Sequence, residues 1–303
     1  MTDEDRFEMT TNAWLFPRGT LAEGPWQSVV GDAVPGWAHT GLRVAELEGE
    51  LQLPAGPVER MVVPLAGSFS VSAGADRWEL TGRASVFAGP TDACYIGVGT
   101  SVRIEGSGRV AVAEAPATAS LPGSYLSQDE VPVEIRGAGR STRQVHNLGV
   151  PGALAAQKLI VCEVITPAEN WSSYPPHKHD EQTAHESELE EIYYFEAAPA
   201  RGALAPAGSR PFGMFTAYAS DARPIDTAAR VETGDIALVP YGYHGPAAAA
   251  PGYDLYYLNV MAGPGSERAW RITDDPAHGW VRSSWDAQSP DIRLPYLSEE
   301  TDA

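Results

Sequence analysis

The sequence predicts an all-β protein built from two similar β-domains in one chain. Its 303 residues include 25 prolines and 30 glycines, an abundance that favours many short strands joined by tight turns over a helical bundle. The apolar residues mostly alternate with polar ones or form short runs that end at Gly, Pro, Asp or Ser, which is typical of strands. Hydrophobic residues make up 43% of the chain, enough to fill packed cores.

The first half contains a series of predicted strands at regular spacing. They lie at residues 41–51, 60–67, 68–74, 77–82, 84–89, 93–98, 101–106 and 109–115. Short strands repeated in this way suggest a sandwich or a barrel. A loop rich in Ala, Pro, Gly and Ser follows at residues 115–129, and residues 134–147 have the composition of a connector.

The second half returns to the same pattern. Strands are predicted at residues 158–167, 190–197, 212–220, 230–240, 254–263 and 269–275. We therefore expect two domains, residues 1–130 and residues 131–303. The identity between the halves is too low to establish a repeat from the sequence.

Charge and composition exclude several classes of function. The formal net charge of −19 argues against a nucleic-acid partner and against binding to anionic membrane surfaces. No run of about 18 apolar residues predicts a membrane span, and the acidic N-terminus does not resemble a signal peptide. The two cysteines, Cys94 and Cys162, are too few for a disulfide framework, so we expect a cytoplasmic protein.

The histidines indicate a metal site in the second half. His177 and His179 in "YPPHKHD" are two residues apart, so both point to the same face of a strand. A strand then opens with Glu190 and Glu191, and His244 ends the segment "GDIALVPYGYH". Three imidazoles and one carboxylate suit a divalent ion such as Zn, Mn, Fe, Ni or Co. Four protein ligands on a six-coordinate ion leave two positions for substrate oxygens.

These residues resemble known sequence motifs. "GDIALVPYGYH" is similar to the second motif of cupins, and the His-x-His followed by Glu is similar to the first, with a longer gap. The stretches "NWSSYPPHKHD", "LEEIYYF", "VPYGYHGPAAAAPGYDLYYLNVMAGP" and "RAWRITDDPAHGW" resemble the 5-deoxy-glucuronate isomerase family of bacterial inositol catabolism. The resemblance runs from about Arg136 to Trp280. Its relatives, the 5-keto-4-deoxyuronate isomerases, are bicupins with a metal in one barrel, which implies a bicupin here.

The resemblance implies a set of metal ligands. They are His177, His179, His244 and one of the adjacent glutamates. Alignment with the related isomerases favours Glu190, whereas the usual cupin spacing favours Glu191. Because neighbouring strand residues face opposite sides, only one of the two can point inward, and we expect Glu190. The first half has no histidine between His39 and His146, so we expect a metal-free barrel there and one divalent ion per chain.

The resemblance also implies an activity. It is that of an aldose–ketose isomerase which converts 5-deoxy-D-glucuronate, a small anionic sugar acid, into 5-dehydro-2-deoxy-D-gluconate in myo-inositol degradation. A divalent ion would assist proton transfer through a cis-enediolate, and a hydride shift would give the same product. The alternatives are a cupin dioxygenase and a sugar-binding cupin without catalysis. We also expect a homo-oligomer.

Candidates for the remaining roles follow from the same region. The substrate carboxylate needs a cation, for which the candidates are Arg143, Arg271 and Lys178, although Lys178 should point away from its flanking histidines. The tyrosines that could shape the pocket are Tyr174, Tyr194 and Tyr241. A general base would be, in order of preference, Tyr243, Glu191 or His185.

Overall fold

The computed structural model describes residues 12–221 and 223–296 as two packed β-domains. Nearly all of the regular structure is strand, which confirms the predicted all-β class. Helical structure in the described ranges consists of one four-residue α-helix, Val281–Ser284, and 3₁₀ turns at Val86–Ala88, Gln128–Glu130, Gly139–Ser141 and Trp285–Ala287. Within those ranges, no helix has the length and apolar character needed to cross a membrane.

The strands of the first half form one main sheet. They are β2 (Ser28–Val30), β3 (Gly41–Leu53), β4 (Val58–Ala73), β5 (Asp76–Arg83), β6 (Ala93–Ile96), β7 (Val102–Pro116) and β8 (Ser124–Leu126), whereas β1 (Leu15–Phe16) belongs to a sheet of the second half. The order in the sheet is β2-β3-β7-β4-β6-β8, and β5 pairs with β4. Strands β4 and β7 each join two predicted strands, because Gly67 and Gly108, which the pattern treats as breaks, pair with each other inside the sheet.

One predicted strand of the first half is not a strand. Residues 84–89 contain the 3₁₀ turn Val86–Ala88 instead. The Ser85 hydroxyl accepts a hydrogen bond from the backbone N–H of Phe87, and Pro90 follows the turn. A serine cap of this kind competes with strand pairing, so the local side-chain bond overrides the alternating apolar pattern.

The second half forms three sheets. Its strands are β9 (Val133–Arg136), β10 (Arg143–His146), β11 (Ile160–Thr166), β12 (Trp171–Ser172), β13 (His177–Lys178), β14 (Glu190–Pro199), β15 (Gly213–Tyr218), β16 (Asp226–Val231), β17 (Ile236–Val239), β18 (Ala247–Ala249), β19 (Tyr253–Ala262) and β20 (Thr273–Asp274). The largest sheet has the order β1-β17-β14-β19-β11-β10-β9, and the others are β12-β18-β15-β16 and β13-β20. The predicted connector at residues 134–147 is thus largely a pair of sheet strands.

The two halves share one topology. In the second half the order β10-β11-β19-β14-β17 repeats the order β2-β3-β7-β4-β6 of the first half. Strands β4 and β14 therefore occupy corresponding places, as do β7 and β19. The duplication that the sequence only suggests is visible in the order of the strands.

A shared apolar core lies between the main sheets of the two halves. It combines residues of the first half, such as Leu42 and Met61, with residues of the second half, such as Ile192 and Leu258. Each half also has a core of its own inside its barrel. The main sheets are therefore buried on both faces, one against the other half and one against the barrel interior.

A buried carboxylate of the first half binds the backbone of the second. The side chain of Glu59 accepts hydrogen bonds from the N–H groups of Gln157 (2.8 Å), Lys158 (2.6 Å) and Leu159 (2.6 Å). It also accepts one from the Tyr95 hydroxyl (2.6 Å). Full hydrogen bonding of this kind is what allows a carboxylate to be buried.

A carboxylate of the second half makes the reciprocal contact. The side chain of Glu190 accepts hydrogen bonds from the N–H groups of Ala38 (2.9 Å), His39 (2.7 Å) and Thr40 (3.2 Å). Glu59 and Glu190 lie at corresponding positions near the starts of β4 and β14. Each half therefore contributes one buried glutamate that binds three backbone N–H groups of the other half.

The start of the described chain crosses from one half to the other. Leu15 and Phe16 of β1 pair with Ala237 and Ile236 of β17. These residues fall within the predicted first domain, yet they form the edge of the main sheet of the second. The division between residues 130 and 131 stays a prediction.

We predict that Glu59→Gln lowers the free energy of unfolding by about 3 kcal/mol. An amide keeps one acceptor oxygen and turns N–H donors towards the backbone N–H groups of residues 157–159, which also donate. Urea unfolding of the variant measures the change. Glu48→Gln, at an exposed position of β3, is the control and should leave the midpoint unchanged. An unchanged midpoint for Glu59→Gln as well would contradict this role.

Candidate metal centre

Three side chains of the second half meet at one point. Glu191 Oε2 lies 2.9 Å from His179 Nε2 and 2.9 Å from His244 Nε2, and the two nitrogens are 3.0 Å apart. All three side chains are buried. Among the described residues, this is the one cluster of three potential ligand groups close enough to share an ion.

The tautomers of the two histidines direct their free nitrogens to this point. His179 Nδ1 donates to the backbone carbonyl of Leu189 (3.1 Å), and His244 Nδ1 donates to that of Gly242 (2.9 Å). Because a carbonyl can only accept, each Nδ1 carries the hydrogen and each neutral imidazole turns an Nε2 lone pair towards Glu191. Two lone pairs and a carboxylate oxygen facing one another form a donor set for a divalent cation.

The charges at this point favour an added positive charge. Burial opposes both shifts, but the contact between the two side chains lowers the pKa of Glu191 and raises the pKa of His179. The contact with His244 lowers the pKa of Glu191 further. A proton or a metal ion would satisfy the same requirement, so metal binding here competes with protonation.

His177 is the fourth candidate ligand. Its backbone N–H and carbonyl pair with those of His244, and the centroids of the two rings are 5.0 Å apart. Its Nδ1 donates to the carbonyl of Pro175 (3.1 Å), while burial and the neighbouring imidazoles lower the pKa of His177 to about 3. His177 is therefore neutral, with an Nε2 lone pair available. Gly245 permits this approach, since a Cβ there would lie 2.7 Å from the His177 ring.

The prediction that Glu190 is the metal ligand is wrong. Its carboxylate lies on the outer face of β14, bonded to the N–H groups of residues 38–40. Glu191 faces the barrel interior and meets the imidazoles. The same placement removes Glu191 from the candidates for a general base, because its carboxylate is already part of the ligand cluster.

Lys178 is not a substrate contact either. Its ammonium group is bound by Asp180 Oδ1 (2.8 Å) and Glu186 Oε1 (2.8 Å). The other oxygen of Asp180 accepts the N–H of Gly242 (2.9 Å). The ion pair therefore joins the segment that carries His179 to the turn that carries His244, which positions both imidazoles.

A cavity of about 230 Å³ opens beside the cluster. Three arginines contribute to its wall, together with apolar, aromatic and small polar side chains. The lining residues are Arg136, Arg143, Val145, Val164, Ser173, His177, Glu191, Tyr193, Asn259, Trp270, Ile272 and Arg282. A small, polar ligand would therefore lie between the imidazoles and the arginines.

Arg143 is the arginine of this cavity that has no acidic partner among the described residues. Arg136 pairs with Glu134 and Arg282 pairs with Asp274. The guanidinium of Arg143 is buried, donates to the carbonyl of Ser141 (3.2 Å) and lies over the ring of Trp285. Burial and the nearby cations lower the pKa of Arg143 to about 10, so it stays positive at neutral pH.

The remaining predicted contacts lie outside the cavity. Arg271 pairs with Glu267 on the surface (2.6 Å). Tyr174 packs against Trp171, and Tyr241 lies under the guanidinium of Arg223. These side chains are therefore corrected to structural contacts.

Tyr194, which is predicted to shape the pocket, does not line the cavity, and its neighbour Tyr193 does. Tyr194 points into the shared core between the halves, because it lies on the same face of β14 as Glu190. Tyr193, which the sequence analysis does not select, lies on the face of Glu191 and lines the cavity. Burial and the charge of Glu191 raise the pKa of Tyr193, so its phenol keeps its proton.

The two other candidates for a general base are also outside the cavity. Tyr243 packs on Tyr218, whose hydroxyl donates to Asp275. His185 is exposed in the acidic segment that follows His179. Two residues that the sequence analysis missed, Tyr193 and its cross-strand partner Asn259, could have been predicted. If Glu191 points inward, Tyr193 lies on the same face of β14, and Asn259 lies opposite Tyr193. Arg136 and Arg282 come from distant segments and have no such signal.

The fold and the site define a two-barrel cupin with a candidate metal centre in the second barrel. The sequence profile of the KduI/IolB family matches residues 14–281, and the chain belongs to this family. A 5-deoxy-glucuronate isomerase of Geobacillus kaustophilus is 42% identical over 256 residues, which cover 82% of this chain and 88% of that protein. A protein of the same name from Listeria innocua is 37% identical over 252 residues, covering 80% and 88%.

Solved structures agree with this assignment. An IolB-like protein from Salmonella typhimurium has a TM-score of 0.79 and 34% identity, covering 88% of this chain and 98% of that chain. Oxalate decarboxylase from Lactobacillus farciminis has a TM-score of 0.60 and 11% identity, covering 95% and 96%. The second likeness is one of fold alone.

We predict that Glu191→Gln removes the bound metal and that Glu190→Gln retains it. Only Glu191 reaches the imidazoles, and a lost ligand should weaken binding by more than the 10- to 100-fold that outer contacts are worth. Elemental analysis after dialysis should find one ion per chain in the wild type and in Glu190→Gln. Retention by Glu191→Gln, or two ions per wild-type chain, would contradict the assignment.

Proposed function

We propose that this protein is an aldose–ketose isomerase that converts 5-deoxy-D-glucuronate into 5-dehydro-2-deoxy-D-gluconate. The observation that carries the proposal is the pairing, in one cavity, of a cluster of imidazoles and a carboxylate with the buried Arg143. A sugar acid has the matching chemistry, with an aldehyde at one end and a carboxylate at the other. The relatives named 5-deoxy-glucuronate isomerase support the choice of this substrate.

His177, His179, Glu191 and His244 would hold one divalent ion. The fit rests on the three Nδ1 atoms bonded to backbone carbonyls, which leave three Nε2 lone pairs and a carboxylate in one buried region. A divalent ion bound there supplies Lewis acidity to the carbonyl oxygen and the neighbouring hydroxyl oxygen of a substrate. Zn, Mn, Fe, Ni and Co are all compatible with this donor set.

The arginine orients the substrate. The guanidinium of Arg143 is planar and carries free N–H donors, which suits a carboxylate bound through two oxygens. With its acid end held there, the substrate directs its aldehyde end towards the imidazole cluster. Burial of Arg143 strengthens this contact, because water does not compete for it.

Tyr193 supplies a proton donor beside the cluster. Its raised pKa means that the hydroxyl keeps its proton at neutral pH. It can therefore donate a hydrogen bond to a substrate oxygen on which negative charge develops. The reaction moves one hydrogen from carbon 2 to carbon 1 and one proton from the oxygen on carbon 2 to the oxygen on carbon 1. The carbonyl shifts to carbon 2, so substrate and product have the same oxidation state.

The two alternatives differ in what they consume. A cupin dioxygenase would take up O₂, and a sugar-binding cupin would turn nothing over. Neither accounts for the relatives that carry an isomerase name. A homo-oligomeric state and a cytoplasmic location stay predictions.

We predict that the purified protein isomerises 5-deoxy-D-glucuronate without uptake of O₂ or added nicotinamide. Removal of metal with a chelator should abolish turnover, and a divalent ion should restore it. Proton NMR follows the loss of the aldehyde, and an oxygen electrode runs in parallel. Oxygen uptake that matches substrate loss would favour the dioxygenase, and binding without turnover in the metal-loaded protein would favour the sugar-binding protein.

We predict that Arg143→Gln raises KM about 100-fold, because a carboxylate would lose its buried ionic partner. Arg271→Gln removes a surface arginine paired with Glu267 and is the matched control. Steady-state kinetics of the two variants test the assignment. Equal KM values for both variants and the wild type would place the carboxylate elsewhere.

A further inference from the structure

A second cavity lies in the first barrel, at the place that corresponds to the metal centre. Glu59 and Glu190 make equivalent contacts at equivalent positions of β4 and β14. The next residue in each strand faces the barrel interior, so Arg60 corresponds to the ligand Glu191. Where the second barrel has a carboxylate for a cation, the first barrel therefore has a guanidinium.

The cavity has a volume of about 360 Å³. Its wall consists of the segment between β2 and β3, the loop between β3 and β4, and three charged side chains of the sheet. The lining residues are Val30, Gly31, Asp32, Ala38, Thr40, Gly41, Arg43, Pro54, Ala55, Gly56, Pro57, Val58, Arg60, Glu114 and Pro116. Most of these are apolar or small, and three of the four charged side chains, Arg43, Arg60 and Glu114, are in direct contact.

Two arginines share a single buried carboxylate there. Glu114 accepts Arg60 Nε on one oxygen (2.7 Å) and Arg43 Nε on the other (3.0 Å). The Arg60 side chain is 6% exposed, and its Nη1 donates to the carbonyl of Thr100 (3.2 Å). The three charges leave one positive charge in excess, and the remaining lining carboxylate, Asp32, is exposed.

The arginines retain donors that the protein does not use. Within the described ranges, no acceptor lies in hydrogen-bonding distance of the Nη atoms of Arg43, whose guanidinium lies over the ring of Trp26. Thr40, which also lines the cavity and is 3% exposed, has a buried hydroxyl without a hydrogen-bond partner. The donors available to a ligand in this cavity are therefore the guanidinium N–H groups of the two arginines.

We propose that this cavity binds a small organic carboxylate, with its charged group on Arg43 and Arg60 and its carbon chain against the apolar wall. Planar guanidinium groups match a carboxylate, and a single excess charge suits a monoanion. The Val, Ala and Pro side chains of the lining favour an apolar tail over a second charged group.

Titration with butyrate, followed by amide NMR, tests the proposal on the full-length, metal-loaded protein. Saturable shifts are expected at the amides of Ala55, Gly56 and Val58, which line the cavity, with a millimolar dissociation constant. Arg43→Gln should weaken binding at least tenfold and keeps the Arg60–Glu114 pair that the fold needs.

Arg77→Gln is the matched control, because it removes an exposed arginine of the same half that pairs with Glu79. Loss of binding in Arg43→Gln with wild-type affinity in Arg77→Gln supports the site. Equal affinities in Arg43→Gln and the wild type would overturn it, as would shifts confined to residues around His177. Absence of saturation up to about 50 mM butyrate would also overturn it.

Discussion

The alternation of side chains along β14 is the constraint on which both the assembly of the two halves and the candidate metal centre depend. Glu190 points outward and binds three N–H groups of the first half, whereas Glu191 points inward and meets the imidazoles. A shift of one residue in the pairing of β14 would exchange the two faces. The pairing of β14 with β17 and β19 therefore fixes the joint between the halves and the position of the carboxylate in the cluster.

The buried carboxylates that join the two halves lie where backbone N–H groups or an arginine complete their bonding. Glu59 and Glu190 are surrounded by N–H groups, and Arg83 of the first half pairs with Glu163 of the second. Glu163 is also bonded to His146 and to the hydroxyl of Tyr256. These groups fix the relative orientation of the two halves more than they add to the free energy of folding. Each of them finds its hydrogen-bond partners in one arrangement of the halves only.

The sequence supports the fold class, the duplication and the histidines of the cluster, because strand alternation and the spacing of His177, His179 and His244 are local properties. It could not decide between Glu190 and Glu191, nor between Tyr193 and Tyr194. An alternating pattern shows which side chains of a strand point inward only when one face of the strand is polar. Both faces of β14 are apolar, because one face lies in the shared core and the other face lies in the barrel core. Arg143 is distinguished from Arg271 by the absence of an acidic neighbour, which is a property of the folded chain.

The pairing of Leu15 and Phe16 with β17 has a consequence for how the second barrel can exist apart from the first. Strand β17 is bonded to β14 on one side and to β1 on the other, so β1 covers what would otherwise be an open sheet edge. An unpaired edge offers free N–H and C=O groups to any other extended chain. A fragment that begins at the predicted division, residue 131, would lack β1 and leave the edge of β17 uncovered. The apolar face of its main sheet would also be exposed, so the fragment would aggregate through strand pairing between molecules.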